Sequence, residues 1–576
     1  MIQPDDKSSK ELLTRRIFLA VVSSVTLQFF FVCCLVLFAN LSTDYVHWLQ
    51  ETWSIVTSLR MWTFLVIFTT VVFLQAVFCR RVYLHTPPYY KSRFTKLLAT
   101  FTAQNLYLGT LYVIIGGILI WFHLLLKGGR YSSLIADCSV IHGTCLVEEY
   151  SFLLFSGLWS GLYFSFKTRS SIGRYFRFPI IAQSKFFQFR RRIYTALPTL
   201  MLSSLWSTLY YMTVYYFVGS YCHMVLLFTI SMQAEVELDT MSMLLNLSLI
   251  LQLWFYQFVF VLTINSTYLF FEVYLTEWTQ FKFGLSGALS TDGSELTLIE
   301  ALSMDKIPIM QHLGYLDLVT LAQKEKARRA TLFTLSQPGG HPYNWNCVVQ
   351  RCTDLLNKFS SDLNAISVKP QPPLTCYGKS VLTTMGRPTQ QKDRVYHMRK
   401  LVPDVAPTLT AVETITQETS YTGLLAQFVK QKRDAFVTYL LSKPLINYIF
   451  GEQDENKIRY VLFNSQPVMW AAEAISSLSV FSLTEDHHGI VQKDIPTIVN
   501  ALLSVKQALD KQQKSVILAR RLQTEDKLIR EIFTSLRSAI KRSLYRIVTN
   551  FEPYINDLCL ESAAVEQLQS FLNYKE

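Results

Sequence analysis

Histidine side chains that could bind a metal or transfer a proton occur in two short segments of this sequence. His341 lies in SQPGGHP, and His487 and His488 lie side by side in SLTEDHHGIVQ. Either role needs further ligands or a catalytic partner nearby. No Cys, Asp or Glu stands at metal-ligand spacing beside His341, and no triad includes the adjacent pair. We interpret all three as residues of turns or helix ends.

Sequence motifs of catalytic and nucleotide-binding sites are absent from the chain. It contains no GxxxxGK phosphate loop, no GxGxxG, no GxSxG, no HExxH and no CxxC. Each of these motifs places a nucleophile, a metal ligand or a phosphate cradle at a fixed spacing. We therefore expect a protein that is not an enzyme and that binds neither a cofactor nor a metal.

Cysteine pairing is possible at one place. Cys138 and Cys145 share one short loop. The membrane topology that is predicted below from Lys and Arg places this loop on the lumenal side. An oxidising compartment permits a disulfide there. Two free thiols are the alternative, because sequence alone does not establish pairing.

The hydrophobic residues are concentrated in the first half of the chain. Half of the 576 residues are hydrophobic, and the mean hydropathy is +0.24. Runs without Asp, Glu, Lys or Arg cover residues 17–41, 61–78, 101–126, 150–166, 196–221 and 240–271. A helix of about 17 to 25 apolar residues crosses a bilayer. The pattern predicts an all-α polytopic membrane protein with six transmembrane helices.

The distribution of Lys and Arg predicts the orientation of these spans. The leader and the second and fourth loops carry seventeen Lys and Arg, whereas the other three loops carry three. Positive loops stay on the cytosolic side. Both termini are therefore predicted on the cytosolic side. This topology also accounts for most of the net charge of +12, so that direct nucleic-acid binding is not expected.

The predicted spans lack the charged groups that ion-coupled transport needs. The six runs contain one ionisable exception, His123 in the third run, and we expect it at the membrane interface. Intramembrane ionisable residues usually mark ion or proton pathways. Their scarcity argues against a pump, whereas a passive channel stays open as an alternative.

The fourth loop is strongly basic and contains aromatic residues. Its sequence, KTRSSIGRYFRFPIIAQSKFFQFRRR, includes Arg174, Arg177, Lys185, Arg190, Arg191 and Arg192 and no acidic residue. Basic and aromatic side chains suit the headgroup layer of an anionic leaflet. The alternative is that the loop only fixes the orientation of the spans.

Small residues recur at four-residue spacing in the fourth run. Gly157 and Gly161 in GLWSG would let two helix backbones approach closely. Such a short pattern predicts packing inside the same bundle, with a dimer face as the alternative.

A sharp corner interrupts the helical pattern of the second half. The residues concerned are Ser336, Gln337, Pro338, Gly339, Gly340, His341 and Pro342, followed by Trp345. Proline fixes its own φ, glycine permits positive φ, and the residue before a proline is held extended. We predict a structural corner between two amphipathic helices.

The rest of the second half is predicted to form helices on either side of a linker. The Pro-rich stretch 366–420 has little apolar periodicity, which predicts a disordered linker. Helical patterns resume in residues 424–441, 468–481, 497–512 and 528–548. The predicted divisions are a cytosolic leader (1–16), a six-span domain (17–271), a helical domain in two parts (272–365 and 421–576) and the linker.

Three segments resemble one protein family. FTLSQPGGHPYNW is similar to the signature segment of the metazoan transmembrane nucleoporins called nuclear division cycle protein one. SLTEDHHGIVQKDIPTIVNALL, with Thr484, Glu485, Asp486 and Gly489, resembles a second family segment, and FLNYKE resembles the family's C-terminus. Tyr343 stands where vertebrate relatives tend to have His.

The resemblance implies a structural anchor of the nuclear pore complex. A member of this family would lie in the pore membrane of the nuclear envelope and support pore assembly. Its helical domain, residues 272–576, would contact soluble nucleoporins, among them an Aladin-type β-propeller and membrane-binding nucleoporins of the inner ring. The rival hypothesis, from another class, is a channel or transporter with a helical regulatory domain.

Overall fold

The structure is a computed structural model that describes most of the chain. The described residues are 5–39, 45–84, 89–127, 135–137, 144–170, 178, 184–230, 233–234, 244–283, 296–335, 340–367, 432–433, 439–440, 442–451, 454–513 and 527–573. The predicted linker lies outside them, apart from Ile366 and Ser367.

Long helices make up the first half of the described chain. They are α1 (Asp5–Ala39), α2 (Tyr45–Thr57), α3 (Leu59–Leu84), α4 (Arg93–Thr100), α5 (Ala103–Lys127), α6 (Glu148–Ser170), α7 (Lys185–Ile230) and α8 (Leu247–Leu275). Apolar side chains on their outer faces remain exposed, including Phe18, Phe30, Val66 and Phe73. Apolar surface of this extent is typical of helices that face lipid.

Four helices of the described residues are long and apolar enough to cross a membrane. The stretches are Ser8–Cys34, Leu59–Val77, Ala103–Leu125 and Leu247–Leu275. The fourth and fifth predicted spans lie in α6 and α7, where Ser, Tyr and Trp lower the mean hydropathy. With 46 residues, α7 extends for roughly 69 Å, which exceeds the thickness of a bilayer.

Three very short strands join two of the interhelical connections. β1 (Ile135–Asp137) pairs antiparallel with β2 (Thr144–Leu146), and β2 pairs parallel with β3 (Gln233–Ala234). β1 and β2 follow α5, and β3 follows α7. The described residues are otherwise helical, as predicted, and these strands join the connection after α5 to the one after α7.

The second half of the described chain is helical, and its helices other than α13 form the helical domain. The helices of this half are α9 (Leu298–Ser303), α10 (Pro308–Lys324), α11 (Lys326–Leu332), α12 (Tyr343–Ser367), α13 (Pro444–Phe450), α14 (Asp454–Phe463), α15 (Gln466–Glu485), α16 (Ile495–Gln513), α17 (Lys527–Asn550) and α18 (Ser562–Leu572), with a 3₁₀ turn at Glu552–Asp557. The predicted helices 468–481, 497–512 and 528–548 are confirmed within α15, α16 and α17.

Helical periodicity accounts for the core of this domain. In α12, Trp345, Val348, Cys352 and Leu356 are all buried, as their three-and-four spacing predicts. In α17 the buried residues are Ile529, Ile532, Phe533, Leu536, Ala539, Ile540, Leu544, Ile547 and Val548. α17 is therefore a core helix, and its Arg537 and Arg542 pair with Asp510 and Glu473 on neighbouring helices.

Glycines allow α5 and α6 to cross closely. A Cβ atom at Gly157 would lie 2.7 Å from the carbonyl oxygen of Gly116, and one at Gly161 would overlap the backbone of Tyr112. The small-residue pattern thus packs inside the bundle. His123 on α5 is also buried there, with its ring centroid 5.9 Å from that of Phe64. Its position at the membrane interface stays a prediction.

The chain divides into two compact units. One comprises Met1–Ser367 and Gln453–Glu576, and the other comprises Val368–Glu452. The second unit contains α13, where the amide of Gly451 donates to the carbonyl of Asn447 at 2.8 Å. The predicted domain boundaries stay predictions.

Candidate functional site

Trp345 fixes one end of the predicted corner. Its side chain is fully buried, its Nε1 donates to Oδ2 of Asp494 at 2.9 Å, and its ring lies 5.8 Å from that of Phe333. Phe333 follows α11, so this contact joins the chain on either side of the loop. His341 is exposed, and its carbonyl accepts the amide of Tyr343 at 2.8 Å.

Part of the corner motif lies outside the described residues. These are Ser336, Gln337, Pro338 and Gly339, whereas Gly340, His341 and Pro342 are described. The carbonyl of Pro342 accepts the amide of Asn346 at 3.0 Å in the first turn of α12. The structural role of the corner stays a prediction.

Arg329 and Glu485 form a buried ion pair at the second motif. Nε and Nη2 of Arg329 donate to the two carboxylate oxygens of Glu485 at 3.0 and 2.8 Å. The guanidinium also lies 4.0 Å from the ring centroid of Phe481 and donates to the carbonyl of Ala322 at 3.2 Å. This two-pronged geometry satisfies both charges and locks α11 to the end of α15.

Asp486 and Gly489 shape the turn after α15. The carboxylate of Asp486 accepts the amides of His488 and Val491, each at 3.0 Å. Gly489 lies between these two donors with φ of 64°, a conformation that glycine adopts without steric cost. Thr484 is exposed and donates to the carbonyl of Phe481. The turn delivers the chain to Asp494, the partner of Trp345.

A clamp of Asp317 and Arg328 holds the segment after the last membrane helix. The fully buried carboxylate of Asp317 accepts the amide of Phe281 at 3.0 Å and Nη2 of Arg328 at 2.7 Å. That same Nη2 donates to the carbonyl of Phe281 at 2.7 Å. Burial lowers the pKa of Arg328, but the hydrogen bonds and charges of Asp317 and Glu325 outweigh it, so the pKa lies above its ordinary value.

The basic residues of the fourth loop differ in their environments. Arg174 and Arg177 lie outside the described residues. Lys185 pairs at 2.9 Å with Glu277, which lies just beyond α8. Arg192 pairs at 3.1 Å with Glu272, which lies in the last turn of α8.

Two arginines near the start of α7 face outward. Arg190 and Arg191 are exposed on the first turns of α7. Beside them the rings of Phe189 and Phe270 stack at 4.2 Å. At the end of the loop, Lys185 and Arg192 therefore form ion pairs at the end of α8, whereas Arg190 and Arg191 are exposed.

Phe178 connects the fourth loop to the helical domain. Its ring stacks on that of His312 at 5.6 Å and meets Trp470 edge-on at 5.0 Å. His312 on α10 is buried, and burial lowers its pKa to about 4 although its Nδ1 lies 2.6 Å from the carbonyl of Pro308. The imidazole is therefore neutral near pH 7 and serves as a packing surface.

Two further contacts join the leader and the second loop to the chain at and beyond the end of α8. Arg16, the last residue of the predicted leader, lies on α1 and donates to the carbonyl of Leu275 at 3.1 Å and to Thr279. Tyr89, in the second loop, lies with its ring centroid 5.6 Å from that of Tyr460 on α14. The leader and the second and fourth loops therefore all contact the chain beyond the last membrane helix.

Several of these residues were missed at the level of sequence. Asp317 lies four residues after Leu313 on the apolar face of α10, and an acidic residue on such a face signals a buried partner. Arg329 lies among the charged residues of KEKARR, and its partner Glu485 is 156 residues away along the chain. Asp494 and Phe178 carry no sequence signal, because their partners are distant in the chain.

The described residues hold no arrangement typical of metal binding. No group of three or more His, Cys, Asp or Glu side chains within them could hold an ion. The backbone of Cys145 lies in β2, and Cys138 lies outside the described residues, so their pairing stays a prediction.

The sequence was compared with models of protein families. The model described as "Nucleoporin protein Ndc1-Nup" matches residues 11–569, nearly the whole chain. The chain belongs to this nucleoporin family.

Members of the Ndc1-Nup family from distant animals align along their full lengths. The protein is 25% identical to Nucleoporin NDC1 of Homo sapiens over 99% of this chain and 98% of the relative. It is 26% identical to Nucleoporin NDC1 of Mus musculus over the same shares. It is 27% identical to Nucleoporin Ndc1 of Drosophila melanogaster over 98% of each.

Family membership decides between the function classes that the sequence left open. The Ndc1-Nup protein is a structural component of the nuclear pore membrane with membrane-spanning helices, not an enzyme. As a nucleoporin it interacts with other pore components and with the membrane. No observation favours the channel or transporter hypothesis.

Proposed function

We propose that this protein anchors soluble nucleoporins to the pore membrane through six membrane-spanning helices, with both termini on the cytosolic and pore side. One observation carries this proposal. The leader, the second loop and the fourth loop, all predicted on one side, each contact residues beyond α8.

The connections on the opposite side support the same topology. The strand β2 after α5 pairs with β3 after α7, so these two connections lie together. The loop between α6 and α7 instead contacts α10 and α15 through Phe178. α6 and α7 therefore each run between the two sides, which supports counting them as the fourth and fifth spans.

The helical domain, residues 272–576, is the proposed recruiting surface. The clamp of Asp317 and Arg328 fixes it to the end of α8, so a partner bound to the domain is held at a defined distance from the membrane. Its proposed partners are an Aladin-type β-propeller and the membrane-binding nucleoporins of the inner ring. The predicted corner, from Ser336 to Pro342 with Trp345, is proposed as structural support for this surface.

Glycosylation mapping tests the topology. Acceptor sites of the Asn-X-Ser type, each in a short polar insertion, would be placed in the full chain after Lys127, after Ile230 and after Ser170. The first two should be glycosylated and the third should not. Glycosylation after Ser170 would contradict the crossing of α6.

Affinity purification tests the recruitment. The full chain with a C-terminal tag, extracted from nuclear envelopes in mild detergent, should bring down soluble nucleoporins that include a β-propeller. Recovery of membrane proteins without soluble nucleoporins would contradict the anchor role.

A further inference from the structure

The short helix α4 exposes an apolar face. Phe94, Leu97, Leu98 and Phe101 recur at the spacing of one helix face, and they are 39, 56, 58 and 55% exposed. No residue of α4 is buried. An eight-residue helix without a buried residue gains little stability from a protein core, so the exposed side chains of Leu97, Leu98 and Phe101 need another environment.

α4 is nevertheless built as a defined helix. Ser92 and Thr95 form a capping box, in which the amide of Thr95 donates to Oγ of Ser92 at 3.2 Å and the amide of Ser92 donates to Oγ1 of Thr95 at 3.0 Å. At the other end the amide of Phe101 donates to the carbonyl of Leu98 at 3.0 Å. These caps satisfy terminal backbone groups and fix where the helix begins and ends.

The position of α4 places its apolar face beside the membrane. The membrane helix α5 begins at Ala103, and its residue Asn105 donates to the carbonyl of Ala99 in α4. Upstream, Tyr89 contacts Tyr460 of the helical domain. α4 therefore lies in a short stretch between a contact with the helical domain and the start of a membrane-spanning helix.

The positive charge around α4 favours a membrane that contains anionic lipid. Lys91 and Arg93 are exposed, and Lys96 lies on the polar side of α4. No Asp or Glu occurs between Glu51 and Asp137. Basic residues at the edge of an apolar helix face are attracted to anionic headgroups, whereas an acidic protein surface would have to supply apolar and negative groups in the same register.

We propose that α4 is an interfacial helix that inserts Phe94, Leu97, Leu98 and Phe101 into a leaflet containing anionic lipid, with Lys91, Arg93 and Lys96 at its headgroups. The assignment to the cytosolic leaflet rests on the proposed topology. Lipid contact itself does not, because it depends only on the attachment of α4 to α5.

Helix α2 supplies an internal comparison. It exposes Tyr45, Val46, Leu49 and Trp53 between two membrane helices. Unlike α4, it contains Glu51 and neither Lys nor Arg. Its contact with a bilayer should therefore not depend on anionic lipid.

Hydrogen exchange of the full chain in nanodiscs tests the proposal. Two preparations would be compared, one of phosphatidylcholine alone and one with about 30 mole per cent phosphatidylserine. Both leaflets of a nanodisc have the same composition, so the orientation of the protein does not affect the outcome. We expect amides of α4 to exchange at least about tenfold more slowly with phosphatidylserine, and those of α2 to exchange equally in both.

Variants separate the apolar and the basic contributions. The double substitution Leu97→Asp and Leu98→Asp should abolish the slow exchange in α4. Thr102→Asp is its matched control, because it adds a negative charge nearby while an aspartate can still cap α5. Lys91→Gln with Arg93→Gln should remove the dependence on phosphatidylserine.

Two results would contradict the proposal. Equal exchange of α4 in the two lipid compositions would exclude recognition of anionic headgroups. Loss of slow exchange in Thr102→Asp as in the double variant would show that any added charge disturbs the segment. Unchanged exchange of α5 in all variants would verify that they fold. Failure of these tests leaves the glycosylation map unaffected, so it is distinguishable from a failure of the proposed topology.

Discussion

The indole Nε1 of Trp345 donates a 2.9 Å hydrogen bond to the carboxylate of Asp494, 149 residues further along the chain. Trp345 ends the corner motif, and Asp494 lies in the second family segment, five residues after Gly489. The ion pair of Arg329 and Glu485 adds a second link, because Arg329 lies on α11 just before the first motif segment and Glu485 lies in the second. The most distinctive parts of the sequence therefore support each other inside the helical domain.

Replacing Trp345 with Phe should destabilise the helical domain. The change removes the donor to Asp494 and leaves a cavity beside Phe333, which should cost about 1–3 kcal/mol. Thermal unfolding of the full chain in detergent would measure the loss. Trp278→Phe is the control, because Trp278 is exposed. Equal melting temperatures for wild type and Trp345→Phe would contradict the role of this bond.

The buried pair of Arg329 and Glu485 should show strong coupling. Arg329→Met or Glu485→Leu alone leaves one charge without its partner and should cost about 3–5 kcal/mol. The double variant removes both charges and should be less destabilised than the sum of the single variants. Additive free energies of unfolding across this cycle would show that the pair is not coupled.

Acid should destabilise the protein through His312. Burial lowers the pKa of this imidazole from 6.5 to about 4 in the folded state. Between these values the unfolded state binds a proton that the folded state does not, so stability is lost as pH falls through this window, by about 3 kcal/mol in total. His312→Gln should reduce the slope of unfolding free energy against pH from 6.5 to 4. The same slope in both proteins would contradict the burial of His312.

Cysteine reactivity should follow burial. Burial raises the pKa of the Cys352 thiol to about 12, whereas Cys559 is exposed. The thiolate is the reactive form, so N-ethylmaleimide at about pH 8 should label Cys559 and spare Cys352. Mass spectrometry of peptides from the folded full chain would measure both. Equal labelling would mean that α12 does not pack as described.

Two adjacent glycines on α5 should differ in their tolerance of alanine. A Cβ at Gly116 would overlap the carbonyl of Gly157, while one at Gly117 would meet only the flexible end of Leu158. Gly116→Ala should therefore lower the melting temperature of the full chain in detergent, and Gly117→Ala should change it little. The opposite order would place the crossing of α5 and α6 elsewhere.

Much of the fold could be predicted because its signals are local. The buried face of α12 follows from the spacing of Trp345, Val348 and Cys352, and the membrane helices follow from runs of apolar residues. Each signal depends on side chains within a few turns of one helix. The number of spans was harder to predict, because α6 and α7 carry Ser, Tyr and Trp in place of aliphatic residues.

The contacts that join distant segments could not be predicted. Phe178 packs between His312 and Trp470, and nothing in a loop sequence specifies those partners. The sequence left open whether the basic residues of the fourth loop contact headgroups or only orient the spans, and Lys185 and Arg192 pair with acidic residues at the end of α8. A single charged residue does not reveal whether its partner is a lipid or a distant carboxylate.

Super-resolution imaging tests the central claim most directly. The protein, tagged at its C-terminus and expressed at its native level, would be imaged beside a marker of the nuclear pore ring. For an anchor in the pore membrane we expect rings that coincide with the marker around the nuclear envelope. A diffuse signal across the endoplasmic reticulum or at the plasma membrane would contradict an anchor in the pore membrane.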